Sequence, residues 1–345
     1  MNRSLTTGLA ACTLLLGLAG CGGEPEVHHE QFMGLGTVVS IQVAGADEED
    51  ARQAIEAIRE DLEYIHGGWH PWREGTVARN NMLLETGGEF TSSPGVLRLM
   101  QNALPLYEAS DGLFNPTLAR LTEAWGFHEE EPAGPPPDDA TIAELVAAAP
   151  SLHDVTIDGV RVRSSNPAVQ FDFGGFAKGV ATDRAIERLR AHGIEHGIIN
   201  LGGDLRGIGR KGERPWRIGI RDPRGEEALA SLELRDGDAV FTSGDYERYF
   251  EHEGRRYHHI LDPRTGHPAT GTTSVTVLHD NGAEADAAAT ALFVAAADEW
   301  PAIARAMGID AVMRIDDAGR LFMTPAMAER VELLDDHEAE TVPLP

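Results

Sequence analysis

The sequence predicts an α+β fold, and three observations predict it. Short runs alternate apolar and polar residues at the two-residue period of a strand, as in TVVSIQV at 37–43. Two such runs, VTI at 155–157 and VRV at 160–162, flank Asp158-Gly159, a dipeptide suited to the tight turn of a hairpin. Helical stretches fall between the runs without the strand–helix–strand alternation of a doubly wound sheet.

In chain order, the strand at 37–43 precedes a helix over 47–65. Asp47, Glu48, Glu49 and Asp50 load its first turn with charge of the sign that the helix dipole favours. Ser93-Pro94 supplies a capping hydroxyl and a ring-fixed φ for a second helix, which runs to 106 and ends near Gly112. EEEPAGPPP at 129–137 is an exposed low-complexity loop leading into a helix capped by Asp138 or Asp139. Further strands are expected at 169–173, 197–200, 217–220 and 274–278, with helices at 179–192 and 286–296. Residues 310–323 read as a strand pair turning at Asp317-Ala318-Gly319. Secondary structure and polar motifs lie on both sides of the Pro-rich loop, so residues 31–345 read as one domain.

Residues 1–20 read as an export signal. Arg3 gives a positive start, 9–18 is an apolar run too short to span a bilayer comfortably, and LAGC at 18–21 is the small-residue pattern of a lipoprotein cleavage site. Cys21 is then the lipidated first residue of the mature chain and 21–30 its tether. The domain is expected to face the periplasm on a lipid anchor alone, and Gly22 after the cysteine favours the outer membrane over the inner. The two cysteines are Cys12 and Cys21, so the mature domain has no disulfide, thiol nucleophile or cysteine metal site. A net charge of −27 argues against nucleic acid as a partner, since that needs a basic surface.

Candidate chemistry lies in four segments. DFGGFAKG at 172–179 turns a strand into a helix; its glycines allow close backbone approach and the helix start offers free N–H groups suited to phosphate, although a ligand-free tight turn has the same composition. INLGGD at 199–204 is a second strand running into glycines and an acid. In the third, TSGDYERYF at 242–250 precedes RYHHILDPRTGHP at 256–268. Neighbours in an extended chain face opposite ways, so only one of His258 and His259 points into a given cleft. In the fourth, ADAAATAL at 285–292, Asp286 and Thr290 share one helical face and offer oxygen ligands to a hard cation. Complementing the helix dipole and back-bonding to the helix are the alternative roles of that pair.

Taken together and in this order, LGTVVSI, LFNPTL with WGF after it, DFGGFAKG, INLGGD, WRIGIRDP, TSGDYERYF, RYHHILDPRTGHP and SVTV with ADAAATAL resemble the ApbE flavin transferase family across residues 32–296. The resemblance implies an ApbE-like fold of mixed, largely antiparallel sheets and packed helices, with FAD in a cleft between loops. It implies Mg²⁺-dependent transfer of FMN from FAD to a Thr or Ser hydroxyl of a partner redox protein, of the Nqr, Rnf or NosR type, with release of AMP. The metal ligands it implies are the Asp286 carboxylate, Thr290 and the Ala177 carbonyl. Leu35, Leu113, Phe114 and Asn115 are implied to contact the flavin or its linker, with Gly174, Lys178, Asn200, Gly202, Gly203, Asp204 and Ile260 lining the rest. His259 is implied as general base or acceptor-orienting group, acting with Asp286. Leu35 stands where the family usually has methionine, and Met33-Gly34 offers a similar pair two residues earlier. WHPW at 69–72 departs from the family's more polar stretch and reads as core packing before ring stacking.

Two other functions share these residues. With water in place of the acceptor, the same metal site would cleave FAD to FMN and AMP. A flavin-storing lipoprotein would bind without turnover, but simple binding gives no reason for the Asp286–Thr290 pair.

Overall fold

The computed structural model describes residues 26–225, 227–335 and 337–345. The signal segment and Cys21 lie outside the described residues. The chain opens with a hairpin of β1 (Val27–Gly34) and β2 (Thr37–Ala44), then α1 (Glu48–Trp69), α2 (Thr76–Glu85), β3 (Phe90–Thr91), α3 (Pro94–Ala109), α4 (Ala119–Ala124) and α5 (Asp139–Ala147). The β4 (Val155–Asp158) and β5 (Arg161–Ser164) hairpin leads to α6 (Gly174–Ala191). Next come β6 (Gly197–Leu201), β7 (Asp204–Ile208), β8 (Arg217–Arg221), β9 (Ala228–Glu233), β10 (Ala239–Gly244), β11 (Tyr249–His252), β12 (Arg255–His258) and β13 (Ser274–His279). The chain closes with α7 (Gly282–Val294), α8 (Trp300–Ala306), β14 (Ala311–Ile315), β15 (Leu321–Met323), α9 (Pro325–Ala328), β16 (Val331–Leu333) and β17 (Ala339–Thr341).

One sheet dominates, in the order β1-β2-β6-β7-β10-β13-β14-β15-β17. Its pairs are antiparallel except β15 with β17, which are parallel. The α+β expectation and the largely antiparallel sheet are therefore both found. Alternate residues of each strand go to opposite faces. Ile199, Phe241, Val275 and Val277 enter the main core with α1, α6 and α7, while their neighbours Ile198, Val240 and Leu278 enter a second core against the sheet β16-β9-β8. Three layers result, helices, large sheet and small sheet, which is why β13 and β14 are buried on both sides. A small third core of Leu121, Trp125, Phe127, Ile142, Phe250 and Leu261 supports the β11–β12 hairpin.

Four boundaries depart from expectation. Residues 27–30, assigned to the tether, belong to β1, where Val27 pairs with Ala44 and Glu30 with Ile41; the polar HHE triplet hid an edge strand from its periodicity. The strand expected at 169–173 is reduced to a single parallel bridge between Gln170 and Leu118. The helix expected from 179 begins at Gly174, because the glycines that weaken helix propensity form its first turn, with non-helical φ/ψ at Gly175. The helix expected from 286 begins at Gly282, capped by the Asn281 side chain accepting from the Glu284 N–H at 3.0 Å. No helix among the described residues is long and apolar enough to cross a membrane.

Candidate active site

A cleft of about 980 Å³ opens beside the crossing of α6 and α7. That crossing is close because two glycines meet in it: a methyl on Gly179 would fall on the Gly282 carbonyl, and one on Gly282 would lie 2.7 Å from an Asp183 oxygen. Asp183 accepts from the N–H groups of Gly282 at 2.8 Å and Ala283 at 3.1 Å, tying α6 to the first turn of α7. One turn further along α7, Asp286 is 6% exposed and accepts from the Gly179 N–H at 2.8 Å. Thr290 follows, with its hydroxyl 3.5 Å from Ser243 Oγ and 3.0 Å from where a methyl on Gly175 would stand. The segment 175–179 therefore lies directly on the face bearing Asp286 and Thr290. Ala177, Asp286 and Thr290 all line the cleft.

The charge in this corner is unbalanced. Lys178 ion-pairs with Asp204, whose other oxygen accepts from the Thr242 N–H at 2.9 Å. Burial opposes the charge on Lys178, but the carboxylates of Asp204, Glu247 and Asp286 outweigh it and hold the amine above its usual value. Burial pushes Asp286 up to about 7, the Asp204 charge adds to this, and Lys178 and the Gly179 N–H only partly oppose it. Burial likewise raises Glu247 to about 7. Three carboxylates around one lysine favour an added cation. Among the described residues no group of three or more His, Cys, Asp or Glu side chains is set to hold a metal, so a cation here would depend on hydroxyl and carbonyl oxygens as well.

The adjacent histidines separate as strand geometry requires. His258 is buried, its Nε2 3.0 Å from the Ala269 carbonyl and its ring edge-on to Phe293. His259 lines the cleft, and its Nδ1 lies 3.2 Å from the Arg248 carbonyl. A carbonyl only accepts, so Nδ1 carries the proton and Nε2 keeps its lone pair. Burial, then the charge of Arg248, pushes His259 down to about 3, so the free imidazole is neutral.

Leu35, Leu113, Phe114, Asn115, Gly174, Lys178, Gly202, Gly203 and Ile260 also line the cleft. Leu35 holds φ at 51° beside Gly36 at 74°, the two-residue turn that joins β1 to β2. Met33 lines the same wall, so both members of the ambiguous early motif reach the cleft. Asn200 and Asp204 sit behind the lining residues. Asn200 accepts from the Gly203 N–H at 2.7 Å to shape the turn, and Asp204 is buried behind Lys178. Trp69 packs in the main core with an edge on the cleft, and Trp72 stands in the cleft wall between the His70 and His128 rings. Glu247, Arg248, Asp172 and Arg221 line the cleft without having been singled out. Their signal in the sequence was the pair of charges Glu247-Arg248 interrupting strand-like residues.

A cleft of this size, with a glycine-rich helix start, a carboxylate–hydroxyl pair and a neutral imidazole, has the form of a site for a phosphate-bearing dinucleotide. The model of the ApbE family matches residues 35–313, and the chain belongs to the ApbE family. It is 44% identical over 341 residues to an FAD:protein FMN transferase of Rhodobacter capsulatus, covering 97% of this chain and 64% of that protein. A protein of the same description from Treponema pallidum is 30% identical, with 95% of each chain covered. Among solved structures, the ApbE protein of Thermotoga maritima is similar with a TM-score of 0.81 at 34% identity, over 88% of this chain and 99% of that one. The apo flavinyl transferase ApbE of Pseudomonas stutzeri gives 0.77 at 30% identity, over 89% and 97%.

Proposed function

We propose that this chain is an FAD:protein FMN transferase that moves the FMN half of FAD onto a Thr or Ser hydroxyl of a partner protein and releases AMP. The observation that carries this reading is the contact of the 175–179 segment with the Asp286–Thr290 face inside a cleft large enough for FAD. The family's transferases supply the rest of the support.

The donor set fits Mg²⁺: a carboxylate whose charge burial disfavours, a hydroxyl with a long 3.5 Å contact to Ser243, and a backbone carbonyl are hard oxygen ligands. Asp286, Thr290 and the Ala177 carbonyl would hold the ion, which when bound would neutralise diphosphate charge and polarise the bond to be broken. The chain's own residues do the remaining work. The 174–179 turn and Lys178 receive the diphosphate, while the apolar wall at Leu35, Leu113 and Phe114 takes the ring system. The acceptor oxygen attacks the FMN phosphorus, the bond from that phosphorus to the bridging oxygen breaks, and the electron pair leaves with AMP. The hydroxyl proton passes to His259 Nε2. FAD's negative charge opposes Arg248 and Lys178, raising the imidazole from about 3 toward the range in which it accepts a proton.

The acceptor in this reading is a membrane-associated redox subunit of the Nqr, Rnf or NosR type. Lipidation at Cys21 would hold the domain periplasm-facing beside it, on the outer membrane if Gly22 directs sorting. Incubation with FAD, Mg²⁺ and such an acceptor domain should give a flavin-fluorescent band that survives denaturation. EDTA or Asp286→Ala should abolish it. FMN and AMP formed in the presence of acceptor without any adduct would refute transfer and leave hydrolysis. Flavin binding indifferent to EDTA, with no turnover, would leave storage.

A further inference from the structure

Arg248 stands in the cleft wall without a carboxylate ion-pair partner among the described residues. Its Nη2 donates to two backbone carbonyls, Phe127 O and Glu129 O, the latter at 2.8 Å. An arginine offers five N–H donors, and neither Nε nor Nη1 of Arg248 has a hydrogen-bond partner among the described residues. Two other cations of this cleft are ion-paired, Arg73 with Glu130 and Lys178 with Asp204, and a third, Arg221, lies over the Tyr246 ring. Burial works against the charge on Arg248, and Asp172 only partly offsets this from beyond ion-pair distance. A half-desolvated guanidinium with free N–H groups is a receptor for an anion. The main chain of the same residue accepts from both the His259 N–H at 3.0 Å and the His259 ring at 3.2 Å, so whatever the guanidinium binds is held next to the imidazole.

We propose that Arg248 binds the diphosphate of FAD through its free N–H groups and, through its carbonyl, positions His259 beside the phosphorus under attack. This rests on the transferase reading and adds a phosphate-recognising residue to it. Nη2 is committed to the loop at 127–129, so the guanidinium is fixed before substrate arrives and its contact needs no ordering of the long side chain.

The test uses Arg248→Gln, which keeps a polar amide but loses the charge, and Arg248→Lys, which keeps the charge. Binding of FAD and of riboflavin, which lacks phosphate, is followed by flavin fluorescence in buffer with MgCl2 and no acceptor. Melting temperature is measured in parallel. Arg248→Gln should weaken FAD binding by about 10- to 100-fold, the loss of a hydrogen bond to a charged group. Riboflavin binding and melting temperature should hold, and Arg248→Lys should fall between. Transfer by Arg248→Gln should stay depressed when FAD is saturating, because the phosphorus under attack is no longer held beside His259 by a fixed cation. Unchanged FAD affinity, or equal weakening of FAD and riboflavin, overturns the assignment. A wild-type protein that binds no FAD at all refutes the transferase reading itself.

Discussion

The Asp286 carboxyl accepts one hydrogen bond among the described residues, from the Gly179 N–H, and lies within reach of the charges of Asp204 and Glu247. With a folded value near 7 against an ordinary 3.8, the folded chain binds the proton more tightly than the unfolded one. The stability this confers is full below 3.8 and is lost as pH rises through 7. Asp286→Asn stays neutral and can still accept from Gly179, so the variant should be more stable than wild type at pH 8, by on the order of a few kcal/mol. The gap should close near pH 4, as urea unfolding of both proteins at the two pH values would measure; a gap independent of pH would contradict the account. The same variant should be inactive, a conflict between stability and function expected of a cation ligand. His259→Gln should reduce transfer by ~100-fold or more while leaving FAD affinity within a few fold, read as kcat against Kd. Asp286, Thr290 and His259 all line the cleft, but they were singled out through the family resemblance, since the Asp286–Thr290 pair alone fits dipole complementation and back-bonding equally well. Asn200 and Asp204 sit behind the lining, and a loop's sequence does not say which side of its turn faces a ligand. Arg248 went unnoticed because, from sequence, an arginine beside Glu247 looks like surface.

Elements position these residues through one helix crossing. Gly179 and Gly282 let α6 and α7 approach until Gly179 donates to Asp286 and Gly175 abuts Thr290. Gly179→Ala drives a methyl into the Gly282 main chain, which cannot rotate away, so the helices must part. The expected loss is roughly 1–3 kcal/mol of stability, seen as a lower denaturation midpoint, together with a fall in transfer activity larger than the fraction unfolded explains. Activity that merely tracks the folded fraction would show that the crossing does not set the site. Helix bodies were legible from periodicity, but both site helices begin earlier than expected. Asn281 caps α7 four residues before the alanine run, and the glycines at 174 and 175 enter α6 where propensity opposes a helix. Tertiary contact overrides local preference there, and no single-segment reading contains it.

At the scale of the whole molecule, the large sheet separates two cores, and the cleft opens where the turn at 202–203, strand β8 at 218–221 and the end of β10 with the residues after it (242–248) meet the α6 start. The class was legible because hairpin signals and antiparallel alternation are local. The strand order, which brings β2, β6, β7, β10 and β13 together across most of the chain, rests on long-range pairing and was not. The β1 edge strand escaped notice because its two histidines and glutamate obscure its period. Cys21→Ser should shift the protein from the membrane fraction to the soluble fraction of cells; retention in the membrane would overturn lipid anchoring while leaving the chemistry untouched. The central claim is that the Ala177 carbonyl, Asp286 and Thr290 grip a cation against a dinucleotide's diphosphate. Crystals soaked with Mn²⁺ and ADP test it most directly, by anomalous scattering. The account predicts a peak about 2.1 Å from oxygens of all three residues and in contact with the diphosphate. A peak elsewhere in the cleft, or a diphosphate bound away from the α6–α7 crossing, would contradict it.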